Sequence, residues 1–70
     1  MMRSRVAETK REVHSLYLNW PGRNQNTAGK SMLFQAYLRQ QNSFSYMQFG
    51  QEGMHQAVTG WVNEWDRYSI

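Results

Sequence analysis

Apolar side chains recur at helical spacing along the final segment of the chain, and small residues form a second stripe beside them. The apolar stripe is Met54, Val58, Trp61, Val62 and Trp65, and the small-residue stripe is Gly53, Ala57 and Gly60. This spacing predicts an amphipathic helix from about Gln51 to Arg67 that packs its apolar side against the core. The small residues would let another helix approach closely, either within the chain or at the seam of a dimer.

A similar periodicity near the N-terminus predicts a first helix from about Ser4 to Leu18, with Ser4 as its N-cap. Its apolar side consists of Val6, Val13, Leu16, Tyr17 and Trp20. The helix should end before Pro21, because proline disfavours helical geometry in the preceding residue and lacks the N–H that continues the hydrogen-bond ladder.

The middle of the chain predicts a second helix, roughly Ala28 to Gln40, with Asn26 or Thr27 as its N-cap. We assign its buried face to Met32, Leu33, Ala36 and Tyr37. Phe34 and Leu38 extend the apolar surface beyond that face. A short helix that is apolar over so much of its circumference is either buried centrally or offers a second contact surface.

The segment between the second and third helices carries both helical and extended signals. Ser45 and Gln48 have the spacing of a capping box, which favours a helical turn that begins at Ser45. Phe44 and Phe49 would form the accompanying hydrophobic staple. The aromatic residues also alternate along this segment, which favours a strand, although a lone strand would have no partner. We therefore expect a short turn or an extended piece near residues 44–49.

The predicted fold class is all-α, a single small domain of three helices over residues 1–70. A chain of 70 residues buries only about 60% of its unfolded surface. Its three Trp, four Tyr and three Phe compensate with large apolar areas, and a homodimer would be a second source of burial. With no Cys and no apolar run of membrane-spanning or signal-peptide type, the sequence predicts a soluble, cytosolic protein with no membrane partner.

The segment Gly22–Ser31 ends in Gly-Lys-Ser and superficially resembles a phosphate-binding loop. The motif requires a glycine where this chain has Asn24, and a strand where this chain has a helix that ends near Trp20. We therefore do not expect nucleotide hydrolysis. The start of the second helix, with Lys30, could still hold a phosphate or a partner's carboxylate.

Catalytic and metal-binding patterns are weak in this sequence. His14 and His55 are the two histidines, and Glu52 lies one turn before His55 as the one neighbour at ligand spacing. The carboxylates fall on predicted polar faces, and Glu64 with Arg67 has the spacing of an ordinary surface pair. The sequence predicts that the protein is not an enzyme and uses neither a metal nor a cofactor.

The net charge of +3 is unevenly distributed. Residues 1–30 carry six Lys or Arg against two Glu, whereas residues 31–70 carry two Arg against three acidic residues. We define as the basic surface the residues that would bind nucleic acid or an acidic partner: Arg3, Lys10, Arg11, His14, Arg23 and Lys30. The same residues could simply keep a small helical protein soluble.

Large aromatic side chains exceed what so small a core needs. We define as the aromatic face the candidate partner-binding residues Trp20, Phe34, Leu38, Phe44, Tyr46 and Phe49. Tyr and Trp are enriched at the energetic centres of protein interfaces, which favours a protein partner. The alternative is that these side chains form the core.

Three segments, Tyr37-Leu38, Phe49-Gly50 and Val58–Val62, resemble small orphan helical proteins of phage and prophage early regions. The resemblance implies a compact helical form with a Trp-containing final helix, and it transfers no functional residues. It also implies action by binding, through inhibition of a host enzyme, blockage of a defence complex or displacement of a repressor. The leading prediction is therefore a non-enzymatic protein that binds a host or phage protein. The alternative is a small basic regulator of transcription that binds DNA or RNA.

Overall fold

The computed structural model describes residues 5–24 and 29–68, and these form three helices without a strand. The helices are α1 (Val6–Leu18), α2 (Lys30–Arg39) and α3 (Gly53–Tyr68), with 3₁₀ turns at Pro21–Asn24 and Asn42–Tyr46. The predicted all-α, three-helix fold class is confirmed. None of the described helices is both long enough and apolar enough to cross a lipid bilayer.

The helix ends follow from local backbone chemistry. Helix α1 ends at Leu18, as predicted, and the chain then enters the first 3₁₀ turn at Pro21. Helix α2 begins two residues later than predicted, after Gly29, whose φ of 82° places it in the left-handed region that glycine adopts easily. The predicted N-caps Ser4, Asn26 and Thr27 lie outside the described residues.

One side chain cluster at the centre of the molecule joins all three helices. It consists of Val13 and Tyr17 from α1, Phe34 and Leu38 from α2, and Val58, Val62 and Trp65 from α3. The Tyr17 ring meets the Phe34 ring edge-on at 5.0 Å between centroids and the Trp65 ring at 5.5 Å. The predicted apolar sides of α1 and α3 are therefore confirmed.

The predicted buried face of α2 is wrong for Met32, Leu33 and Ala36, whereas its fourth member, Tyr37, is partly buried against the core. Met32 and Leu33 are each 54% exposed, and Ala36 is also exposed, whereas Phe34 and Leu38 are completely buried. The reason is that α2 inserts Phe34 between the rings of Tyr17 and Trp20, and aromatic side chains carry the largest burial free energy. That orientation turns the other apolar side of the helix toward solvent.

The two glycines of the small-residue stripe do not form a close helix–helix contact within the described part of the chain. Ala57 is buried, but Gly60 is exposed, and a Cβ at Gly60 would meet nothing within 4 Å. Gly53 has a φ of 85° and opens α3, so its role is to permit a left-handed backbone conformation. A dimer seam at this stripe stays a prediction.

The segment after α2 is a 3₁₀ turn followed by extended backbone, and the turn begins at Asn42 instead of the predicted Ser45. The expected contact between Phe44 and Phe49 is present, with 6.3 Å between ring centroids. Gln48 does not complete a capping box. Its backbone N–H donates to the Thr9 hydroxyl at 2.9 Å, which ties the extended piece to α1 without any strand pairing.

Candidate functional site

The clearest unpartnered feature of the described surface is one side of α2. Large apolar side chains that are well exposed are Leu18, Met32, Leu33, Tyr46 and Tyr68. Met32 and Leu33 are neighbours on one helix, and the exposed Ala36 lies one turn further along the same side. We call Met32, Leu33 and Ala36 the outer face of α2.

Polar contacts on the inner side of α2 fix the rotation of the helix. Gln35 is 2% exposed, and its Nε2 atom lies 3.3 Å from the Ser31 hydroxyl and 3.2 Å from Nδ1 of His55. The hydroxyls of Ser31 and Thr59 share a hydrogen bond of 2.9 Å. Buried polar groups need such partners, so turning α2 to bury its outer face would leave Gln35 unpaired.

A second polar cluster joins all three helices at the N-terminal end of α2, next to Ser31. The Tyr17 hydroxyl donates to one Asp66 oxygen at 2.5 Å, and Nζ of Lys30 donates to the other at 3.1 Å. Nζ of Lys30 also lies 5.2 Å from the centroid of the Tyr17 ring, in cation–π geometry. The cluster connects the first turn of α2 to both neighbouring helices.

The pKa values in this cluster reflect mutual stabilisation. Burial, together with the hydrogen bond to Asp66, raises the pKa of Tyr17 above its ordinary value. Burial alone would lower the pKa of Lys30, but interactions with the Tyr17 hydroxyl and Asp66 outweigh it and leave that pKa raised. Both groups therefore favour their protonated forms at neutral pH.

The segment of the chain that contains α2 carries basic residues and no carboxylate. The sequence contains no Asp or Glu from residue 13 to residue 51. Arg39 is exposed in the last turn of α2, and Arg23 is exposed in the 3₁₀ turn that packs against α2. Helix α2 and the 3₁₀ turn that packs against it therefore carry positive side chains and no negative ones.

The six residues of the predicted aromatic face do not share one surface. Phe34 and Leu38 are completely buried, so their assignment as partner-contacting residues is wrong for the folded chain. Trp20 is half-buried, and its ring packs 5.2 Å from the Phe34 ring centroid and 6.2 Å from that of Tyr37. A Cβ at Gly22 would lie 2.5 Å from the Trp20 ring, so this glycine makes room for the indole.

The remaining aromatic-face residues belong to the segment after α2. Phe44 and Phe49 are half-buried against each other, and the Phe49 ring packs 6.0 Å from that of Trp61. Tyr46 projects from the 3₁₀ turn and is strongly exposed. Of the aromatic face, Tyr46 is thus the residue best placed for contact with another molecule, and it stands apart from the buried members.

Two cations of the predicted basic surface are neutralised by ion pairs. Nζ of Lys10 lies 3.0 Å from a Glu64 oxygen, and Lys30 pairs with Asp66 as described above. Arg3 lies outside the described residues. The pairing of Glu64 with Lys10 also overturns the predicted surface pair with Arg67, because no Glu64–Arg67 ion pair occurs among the described residues.

The other members of the basic surface differ in exposure. His14 does not lie on an open flank, because its ring stacks on Trp65 at 4.5 Å and its Nε2 atom is buried without a hydrogen-bond partner in the described part of the chain. Arg11 is exposed on α1. Arg23 is exposed and donates from Nη1 to the Leu18 carbonyl at 3.2 Å. The structure therefore does not bring these cations together as one continuous stripe.

Residues 5–24 and 29–68 contain no metal-binding cluster and a shallow polar depression. No group of three or more His, Cys, Asp or Glu side chains there could hold a metal ion, and Nδ1 of His55 is occupied by Gln35. A depression of about 320 Å³ lies beside Gly60, lined also by Asn63, Glu64, Arg67 and Tyr68. Its polar, charged lining differs from the apolar lining typical of small-molecule pockets.

The sequence pattern predicts that the outer-face residues Met32, Leu33 and Ala36 are apolar core residues, whereas the structure exposes them. Within α2 the signals compete, because Phe34 and Leu38 mark one apolar side while Met32, Leu33 and Tyr37 mark the other. Large aromatic side chains are better markers of the buried side than the number of apolar residues.

No protein-family model, curated protein or solved structure matches this chain.

Proposed function

We propose that this chain is a small non-enzymatic protein that acts by docking the outer face of α2 onto another protein. The observation that carries the proposal is the exposure of Met32 and Leu33 on a helix whose opposite side is firmly anchored by Phe34. Contiguous exposed apolar side chains on a small folded protein are typical of interaction sites. The resemblance to small phage and prophage proteins favours a host or phage protein as the partner, with inhibition of a host or defence complex or antirepression as the outcome.

The energetics of the outer face suit an interface. Full burial of a Met or Leu side chain contributes about 1.5–3 kcal/mol, and roughly half of that gain is still available at Met32 and Leu33. Helix α2 is already held by its inner contacts, so binding requires little additional ordering of the backbone. The face can therefore contribute to affinity without refolding the chain.

The residues with shifted pKa values support a non-enzymatic role. Shifted pKa values often mark catalytic groups, but Tyr17 and Lys30 bind each other and Asp66 and thereby join the three helices. Their shifts have a structural explanation, and these groups do not require a substrate to account for them.

The alternative function, a small basic regulator that binds DNA or RNA, is favoured by the carboxylate-free sequence from residue 13 to residue 51 and by the exposed Arg11 and Arg23. The ion pairs of Lys10 and Lys30 weigh against it. Fluorescence anisotropy with labelled duplex and single-stranded DNA and with RNA, at about 50 and 200 mM salt, separates the two functions. Micromolar or tighter nucleic-acid binding that weakens in salt, and that Lys10→Glu with Arg11→Glu abolishes, would favour the alternative.

Site-specific crosslinking tests the proposed function directly. A photoreactive p-benzoylphenylalanine is placed at Leu33 in one variant and at Tyr68 in a matched control, since both positions are exposed and apolar. We expect irradiation in the host cell to link the Leu33 variant to a discrete protein, and the Tyr68 variant to link far less. Equal crosslinking from both positions, or none from Leu33, would contradict the proposal.

A further inference from the structure

We infer that the partner presents an apolar strip flanked by carboxylates, so that an acidic amphipathic segment covers the outer face of α2. The inference rests on the proposed function and adds the chemical class of the partner. It depends on the charges around the face as well as on the exposed Met32 and Leu33.

The charge pattern on and beside α2 is one-sided. No acidic residue occurs in α2 or anywhere from residue 13 to residue 51. Lys30 pairs with Asp66, which leaves two exposed arginines without an ion pair in the described part of the chain. These are Arg39, one turn beyond Ala36 in α2, and Arg23, in the 3₁₀ turn that packs against α2. Neither arginine has a carboxylate within ion-pair distance among the described residues. Charged groups at an interface are usually matched by opposite charges, so we expect carboxylates on the partner opposite these arginines.

A second copy of this chain fits the outer face poorly. Parallel packing of two α2 helices would bring Arg39 of one copy beside Arg39 of the other. Antiparallel packing would bring Arg39 toward the Lys30–Asp66 pair, whose charges already offset each other and leave no free carboxylate for the arginine. Helix α2 contributes no carboxylate to balance either arrangement, and like charges at an interface disfavour association.

A nucleic-acid backbone also fits this face poorly. Phosphates would complement Arg23 and Arg39. They would not bury the apolar side chains of Met32, Leu33 and Ala36. An amphipathic helix with an apolar strip and acidic flanks satisfies both parts of the surface.

A displayed library of helical peptides of about 18 residues, long enough to form an isolated helix, provides the test. The library is first depleted on the Leu33→Gln variant and then selected on the wild-type chain, so that recovered peptides depend on Leu33. We expect the recovered peptides to carry apolar residues at helical spacing with Asp or Glu on both flanks. Neutral or basic flanks would overturn the inference but leave the proposed docking face intact. Failure to recover any Leu33-dependent peptide would overturn both.

Point variants separate local charge from the net charge of the chain. Arg39→Gln should lower the affinity for an acidic peptide by about two- to five-fold at low salt, as expected for an exposed ion pair. It should also reduce the salt dependence of that affinity. Arg11→Gln, on α1, removes the same charge away from the face and should leave the affinity unchanged. Equal effects of the two substitutions would overturn the inference, because any basic protein would then select the same peptides.

Discussion

Leu33 and Phe34 are adjacent in the chain and point about 100° apart around the axis of α2, yet Leu33 is 54% exposed and Phe34 is fully buried. Phe34 meets the rings of both Tyr17 and Trp20, whereas Leu33 faces solvent. One helix therefore carries a core side and a free apolar side, and the boundary between them passes between these two residues.

Substitution of these neighbours should have very different effects on stability. We expect Phe34→Ala to lower the free energy of unfolding by about 3–5 kcal/mol, because it leaves a cavity among the central rings. Leu33→Gln should change it by no more than about 0.5 kcal/mol, as exposed substitutions usually do. Urea denaturation followed by tryptophan fluorescence measures both. A comparable loss in the two variants would show that Leu33 belongs to the core.

The polar contacts beneath α2 should be needed for stability. Gln35→Ala removes the partner of His55 and Ser31 in a buried setting, so we expect a loss of about 1–3 kcal/mol. Gln56→Ala, at an exposed position of α3, is the matched control and should be close to neutral. If urea denaturation gives the same result for both variants, Gln35 does not fix the rotation of α2.

The stability of the fold should decrease at alkaline pH. Tyr17 and Lys30 both have pKa values raised above the ordinary values of 10.0 and 10.5. A raised pKa in the folded state contributes stability that is fully present below the unfolded pKa and is lost as pH rises through the folded pKa. We therefore expect the free energy of unfolding to decrease from about pH 10 upward.

Tyr17→Phe isolates the tyrosine contribution to this decrease. The variant should be less stable at neutral pH by about 1 kcal/mol, because the hydrogen bond to Asp66 is lost. Its stability should also fall less steeply above about pH 10, since the ionising hydroxyl is gone. Tyr46→Phe, at an exposed position, should follow the wild-type profile. Identical alkaline slopes for Tyr17→Phe and wild type would exclude Tyr17 as a source of the loss.

Local periodicity was sufficient for α1 and α3 because each has one apolar side. Val13 with Tyr17, and Val58 with Val62, mark that side without ambiguity. In α2 both sides are apolar, so the choice depends on where the Tyr17 and Trp20 rings lie, which is tertiary information. The possibility of a second contact surface followed from the sequence, but its location on Met32 and Leu33 did not.

Which cations of the candidate site form ion pairs also depends on contacts between residues that are distant in the sequence. Lys10 and Lys30 look free in the sequence, yet their partners Glu64 and Asp66 lie on the distant helix α3. Spacing rules recognise pairs within one helix and cannot detect such contacts. That Arg23 and Arg39, and not Lys30, are the cations of α2 and its adjoining turn without an ion pair among the described residues becomes clear only after the helices are packed.

The most direct test of the docking face compares tagged chains that are expressed in the cells in which the protein occurs and recovered with their partners. The variants are wild type, Met32→Gln with Leu33→Gln, and Tyr68→Gln as a matched control that also removes an exposed apolar side chain. We expect wild type and Tyr68→Gln to retain the same discrete partner. Urea denaturation should show that the double variant is folded. This variant should retain at least about ten-fold less of that partner, since central apolar contacts dominate interface affinity. Equal partner recovery by all three chains would contradict the assignment of α2 as the binding surface.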